Sequence, residues 1–442
     1  MTDTLLLGTS AADITPLKPL SLSGFSFRKG NFESVRTSLS LKCFCFRYAQ
    51  EDVFVFSADI LCWGRDTVMN CTELLKRELP GAERSRFLFL ATHTHCGPAL
   101  SYYFASGLGK PDYEYVSMVM EKTVQAAKEA SAGIQPARAV LYTGKTAIPV
   151  NRRLKTDTGF DMAPNPEGPK NDDIYMIEFI PALDGKPAEA GELSRKGETL
   201  AIIVCASCHP TASGDNRVDR EFLVRGLDYF MAENAPKALG AFFQGCCGDT
   251  RPPLIRDGRF YRGSLDAESE ELAKQFAGEL RLTREGKGTL LSFNGEHVFI
   301  KAAAALPFNA DFRHKNRNEY IHLDDEIGEW ARHFQDESVP AAMNLEICFF
   351  NLAAEFAMLF LSGEIVSEYS LYCKDISNGR VWLGAYANGM TTYIPTAAQL
   401  EEGGYEAYDS LFYLLQPAPF GKDAEAVLKK AIAEITGNAH RV

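Results

Sequence analysis

Residues 87–98 read FLFLATHTHCGP: an apolar run, two histidines two positions apart, then Cys96-Gly97-Pro98. A short run rich in Phe and Leu suits a buried strand and is too short for a buried helix. Gly-Pro then turns the chain. His93 and His95 therefore sit at the carboxyl end of a strand. If the strand continues through them, alternate side chains share a face roughly 6–7 Å apart. Both can then address one ion, or one binds it while the other acts from behind. Thr92 and Thr94 point the other way and fix the backbone. In open α/β sheets, ligands sit beyond the carboxyl ends of the strands.

The pattern recurs along the chain. FVFSAD ends at Asp59, IIVCASCH at His209, FFQGCCGD at Asp249 and MLFLSGE at Glu364. Five apolar runs thus finish in residue types that bind metals or move protons, and they use three of only eight histidines. Strands are expected at 53–57, 87–91, 201–206, 241–244, 357–361 and 381–386. Helical periodicity marks 66–78, 113–132, 220–232, 267–280 and 424–435. Gly, Pro, Asp and Asn mark 156–171 as an exposed loop. Residues 181–197 read as a similar insertion or hairpin, and 311–338 as a charged helical lid or outer helix pair. Neither 156–171 nor 181–197 is long or polar enough to be a clear linker. The alternation predicts an α/β fold of mixed β-sheets flanked by helices, with residues 1–442 forming a single domain.

Composition narrows the function. Hydrophobic residues make up 46% of the 442 and charged residues 24%, ordinary for a globular protein. The net charge of −12 lacks the basic field of a nucleic-acid binder, so nucleic acid is excluded as the main partner. No stretch reaches 18 apolar residues, so no transmembrane helix is expected. The N-terminus lacks the basic start and apolar core of a signal peptide. Eleven cysteines, an odd number scattered through apolar runs, fit reduced buried thiols better than a disulfide framework. These features predict a cytoplasmic protein acting on a small-molecule substrate; composition leaves a homo-oligomer open.

Two or three neutral imidazoles with one carboxylate form a catalytic zinc set when one coordination position stays open to water. Pro210 stops the strand before it and sets the turn after His209. Gly363 permits a bend beside Glu364. Other enzymes with a His-x-His pair fit less well. A metallo-β-lactamase-like site wants Asp and His directly after the pair, and HTHCGP has neither. An amidohydrolase barrel wants eight βα units, which the element pattern lacks. Cys208, Cys246 and Cys247 lie near the motifs, but cysteines in apolar strand ends behave as small buried hydrophobes.

The segments GTSAADITP, ATHTHCGP, CASCHPT, QGCCGDTRP, SGE and NGMTTYIPT, in this order, resemble the catalytic domain of the neutral ceramidases and their bacterial relatives. The resemblance runs from about Gly8 to the C-terminal helix. It implies one zinc ion per chain, held by His93, His209, Glu364 and Tyr393, with Tyr386 a nearby rival for the tyrosine. It also implies a proton-handling role for His95 and a substrate contact for Arg152, with Arg153 adjacent in register. Three departures stand out. Arg251 occupies the position of the family's active-site serine. The chain ends before the family's C-terminal β-sandwich domain. It also shows no export signal.

Together these readings imply a zinc-dependent hydrolase cleaving an amide, or an ester or lactone, of a small polar or acidic substrate. Metal-activated water attacks, His95 passes a proton to the leaving group, and Asp249 orients a ligand or His95. Arg152 or Arg251 fixes the substrate, the latter through a charge-assisted contact to a carboxylate or phosphate. A true N-acylsphingosine amidohydrolase and a non-catalytic binding protein are the alternatives.

Overall fold

The computed structural model describes residues 4–48, 51–182, 199–261, 263, 265–293, 298–309, 312, 320–335 and 338–438. Its centre is a large mixed sheet. In spatial order its strands are Leu239–Gln244, Ala201–Ala206, Asp173–Pro181, Gln135–Lys145, Leu5–Asp13, Ser40–Arg47, Asp52–Ala58 and Ser85–Ala91. The two strands at each end pair parallel, and the pairings between are antiparallel. The sheet curls until its ends meet: Ser57 Oγ donates to Phe242 O at 2.8 Å. A second sheet, Val298–Pro307, Ala342–Asn351, Ala357–Leu361 and Val381–Gly384, packs on the first.

The strand alternation builds four layers. In SLKCFCFR of Ser40–Arg47, Phe44 and Phe46 face the second sheet, where Phe46 meets Phe350 edge-on at 5.3 Å. Cys43 and Cys45 face the opposite way, into the cluster that holds helices Arg65–Glu78 and Tyr113–Ala132. Period-two side-chain direction makes one strand serve both faces. Ile202 and Val204 likewise pack under helices Glu221–Asn234 and Asp266–Glu285. The outer face of the second sheet carries Ser367–Ile376 and Ala424–Asn438. The order is helix, sheet, sheet, helix, the α/β arrangement expected from the sequence.

Strands 201–206 and 357–361 and helix 113–132 fall where the sequence places them. The strand expected at 381–386 stops at Gly384, because Tyr386 takes φ 57°. The expected loop at 156–171 is instead largely a hairpin: Val150–Thr156 pairs antiparallel with Gly159–Asn165. Its polar residues suit a half-exposed strand, and Gly159 at φ 138° makes the turn. Within 311–338 the described residues include a short helix, Glu326–His333, capped by Asp325 on Gly328 N–H. Residues 311, 313–319, 336 and 337, and most of the 181–197 insertion, lie outside the described residues.

Candidate metal centre

The strands that run in parallel point their carboxyl ends at one place. Ser85–Ala91 leads into His93 and His95, Ala201–Ala206 into His209, and Leu239–Gln244 into Asp249 and Arg251. From the second sheet, Ala357–Leu361 leads to Glu364, and the chain after Val381–Gly384 supplies Tyr386 and Tyr393. Bridges Leu90–Ala387 and Gly245–Gly384 stitch the two sheets at this seam.

Three imidazoles converge there. Nε2 of His93 lies 3.2 Å from Nε2 of His209 and 3.4 Å from that of His95, and His95 lies 3.2 Å from His209. Strand alternation does not produce this. His93 adopts φ 65° and leaves the strand, folding the two rings together at 4.9 Å between centroids. Each Nδ1 faces a main-chain carbonyl: Leu61 at 2.8 Å, Gly24 at 3.1 Å and Cys247 at 3.1 Å for His93, His95 and His209. A carbonyl only accepts, so each Nδ1 carries the proton and each Nε2 offers a lone pair. Three lone pairs therefore face one another in a buried space. Burial, with neighbouring imidazole and guanidinium charge, pushes the pKa values of His95 and His209 well below the usual imidazole value, keeping them neutral.

Glu364 adds a carboxylate. Its Oε1 is 3.3 Å from Nε2 of both His93 and His209, is buried, and has no hydrogen-bond donor. His93 and His209 thus share two triangles of donors, one closed by His95 and one by Glu364, with edges of 3.2–3.4 Å. Ligands about 2.0–2.1 Å from a tetrahedral zinc lie about 3.3–3.4 Å apart. The His93, His95 and His209 set could hold a divalent metal; Glu364 Oε1 adds a donor beside His93 and His209 only, and an orphaned buried carboxylate oxygen requires a cation or a proton.

Around this ring lies a second layer. Arg152 Nη2 donates to Tyr393 Oη at 3.1 Å, and its Nε to Glu406 at 2.8 Å. Its guanidinium lies over the rings of Tyr393 and Tyr405. Burial first, then the charge of the Glu364 carboxylate, push the pKa of the Tyr393 phenol well up. Tyr386, the rival tyrosine, instead stacks on the His93 ring at 3.9 Å and pairs with Cys247 Sγ at 3.0 Å. Arg153 turns to Glu406 and Glu402, so Arg152 is the arginine that faces the site. Arg251 donates to Thr211 Oγ1 at 3.2 Å, lies over Phe260, and lines the same cavity as Arg152. That cavity measures about 500 Å³ and reaches the ring through His95, His209 and Tyr393.

Several sequence expectations change. His95 lies in the ring beside His93, the arrangement in which both histidines can address one ion, with its Nδ1 facing Gly24 O and its Nε2 facing the other two imidazoles. Asp249 does not orient a histidine: its carboxylate accepts from Ser367 N and Oγ (2.8 and 2.7 Å) and from Gln399, while its carbonyl accepts from Arg152 N. It ties the Glu364 loop to the Arg152 strand. Asp59 sits away from the ring, engaged by Ser40 and Arg220. Glu406 and Gly24 escape sequence reasoning, since GGYEAYDS and GFSFRKG carry no ligand spacing.

A curled mixed sheet packed on a second sheet, with a buried histidine–carboxylate centre at the seam, defines a class of fold. The fold is neutral ceramidase-like. A neutral ceramidase from Pseudomonas aeruginosa superposes with a TM-score of 0.71 over 98% of this chain and 74% of its own, at 15% sequence identity. A ceramidase complexed with C2 gives the same score and identity over 99% of this chain and 75% of its own. No protein-family model and no curated protein sequence matches the chain.

Proposed function

We propose that the protein is a metal-dependent hydrolase, with one zinc per chain, that cleaves an amide, or an ester or lactone, of a small polar or acidic substrate. The observation that carries this reading is the set of three inward-facing Nε2 lone pairs beside the orphaned Glu364 oxygen. The likeness to ceramidase structures supports hydrolytic chemistry on this fold.

His93, His95 and His209 would hold the metal, with Glu364 a further oxygen donor beside His93 and His209. Zinc in such a site supplies a water acidic enough to ionise near neutral pH and a Lewis acid for a carbonyl oxygen. His95 therefore gives up its expected proton-transfer role. Tyr393 keeps its proton on Oη at the cavity wall and is the group placed to hand it to a leaving nitrogen. Tyr393, contacted by Arg152 at 3.1 Å, lines the cavity beside the ring and is also a candidate oxygen ligand. Arg152, locked by Glu406 and two tyrosine rings, presents donors beside it. Arg251, lining the same cavity, favours a carboxylate or phosphate on the substrate.

A second reading, cleavage of a long-chain N-acyl lipid amide, draws on the aromatic side chains Phe25, Phe27 and Phe412 in the cavity lining. One experiment separates them. Metal is measured by elemental analysis in wild type and His209→Ala, then the wild type is assayed on N-acyl amino acids, small lactones and long-chain ceramides. About one zinc per wild-type chain, lost in the variant, with turnover of short acidic amides, is the expected outcome. Turnover of ceramide alone favours the second reading, and absence of metal after zinc reconstitution refutes both.

A further inference from the structure

Behind the ring lies a strained, buried acid that nothing in the hydrolytic reading uses. Glu221 opens the helix Glu221–Asn234 with φ 66° and is fully buried. Left-handed backbone is natural for glycine and costly for a residue with a Cβ. A glycine here would turn the chain without strain, so the side chain must return something.

What it does is grip the loop that follows His209. Oε2 of Glu221 accepts from Ala212 N at 3.2 Å, and Oε1 from Ser213 N at 2.9 Å. Oε1 is also 3.8 Å from Sγ of Cys96, which directly follows His95. Cys96 Sγ in turn lies 3.4 Å from Ser213 O. Arg28 completes the bridge, donating to His95 O at 2.7 Å and to Ser213 O at 3.5 Å. One carboxylate and one guanidinium therefore fasten the His95 loop to the His209 loop. Neither histidine is held there by regular strand pairing, because their strands end at Ala91 and Ala206.

We propose that Glu221 is a positioning residue that sets the His95–His209 separation, and with it the affinity of the site for its metal. Outer partners of metal ligands commonly contribute 10–100-fold to metal affinity. The inference rests on the metal reading of the three-histidine ring.

The test compares wild type, Glu221→Gly and Glu221→Gln. Glycine removes the carboxylate and the backbone strain together, and a thermal melt of the variant checks that the fold is kept. Glutamine keeps the shape but can accept on one atom only. Hydrogen exchange over residues 207–214 is measured on the metal-free proteins, and zinc Kd by chelator competition. In Glu221→Gly, exchange in this loop is expected to rise about tenfold or more and zinc binding to weaken about 10–100-fold. Glu221→Gln should fall between. Unchanged loop exchange, or faster exchange with unchanged zinc Kd, overturns the inference while leaving the metal site standing. A wild type that takes up no zinc removes the metal reading and this inference with it.

Discussion

Glu406 offers the sharpest test of how the second layer is built. Its Oε1 accepts from Arg152 Nε at 2.8 Å and its Oε2 from Arg153 Nη1 at 2.6 Å. The three side chains are 2%, 4% and 6% exposed. Replacing the carboxylate by an amide keeps the shape. It leaves one acceptor for two guanidiniums and turns an NH2 group toward the other donor. Removing one partner of a buried ion pair typically costs about 3–5 kcal/mol, and the loss falls chiefly on Arg152, since Arg153 keeps Glu402 at 3.1 Å. Urea unfolding of Glu406→Gln should therefore show that loss with an unchanged m-value. Acid reveals the same pair. Burial raises the Glu406 pKa, but Arg152 and Arg153 outweigh it and hold it below the carboxylate value of 4.5. A depressed folded pKa means the contribution is complete above about 4.5 and fades as pH falls through the folded value. The gap between wild type and variant should shrink in that window. Arg153→Met should also cost less in the variant than in wild type. A stability loss under about 1 kcal/mol, equal at pH 7 and pH 4, would refute the claim that this carboxylate compensates both arginines.

Three further outcomes are expected. Gly24 takes φ 101°, and a Cβ there would stand 2.4 Å from His95 Nδ1; Gly24→Ala should weaken zinc binding about 10–100-fold by tilting that ring, read by chelator competition. Arg251→Met should lower kcat/KM on acidic amides by about 10–150-fold, the worth of a charge-assisted contact of roughly 1.5–3 kcal/mol, with much smaller change on uncharged amides of the same size. All eleven cysteines are buried and free, and burial pushes the Cys246 and Cys247 thiols well up; an aromatic disulfide reagent should titrate almost none in the native protein and eleven in denaturant, whereas fast native reaction at either would revive a thiol role.

The strand ends carry the lesson on legibility. Apolar runs of FLFLA, AIIVCA and AMLFL type announce buried strands because two covered faces leave no room for polar side chains. The residues two or three positions past each run are then placed at a sheet edge by local sequence alone. That is why His93, His209 and Glu364 could be singled out without coordinates. The same logic selected Asp59, which ended in a structural ion pair, because a strand end does not say which neighbours surround it.

What the sequence by itself determined is therefore the periodic part: strands, helices, a mixed α/β layering and a short list of residues at carboxyl ends. The tertiary structure decided how those ends meet. The left-handed turn at His93, the Nδ1 contacts to three main-chain carbonyls and the curl that brings opposite sheet edges together are all non-local. They placed His95 in the ring, sent Asp249 to Ser367 and brought Glu406 under Arg152 from 254 residues away. Periodicity is a property of neighbours along the chain, whereas a metal centre depends on the directions of lone pairs from segments that only folding brings together.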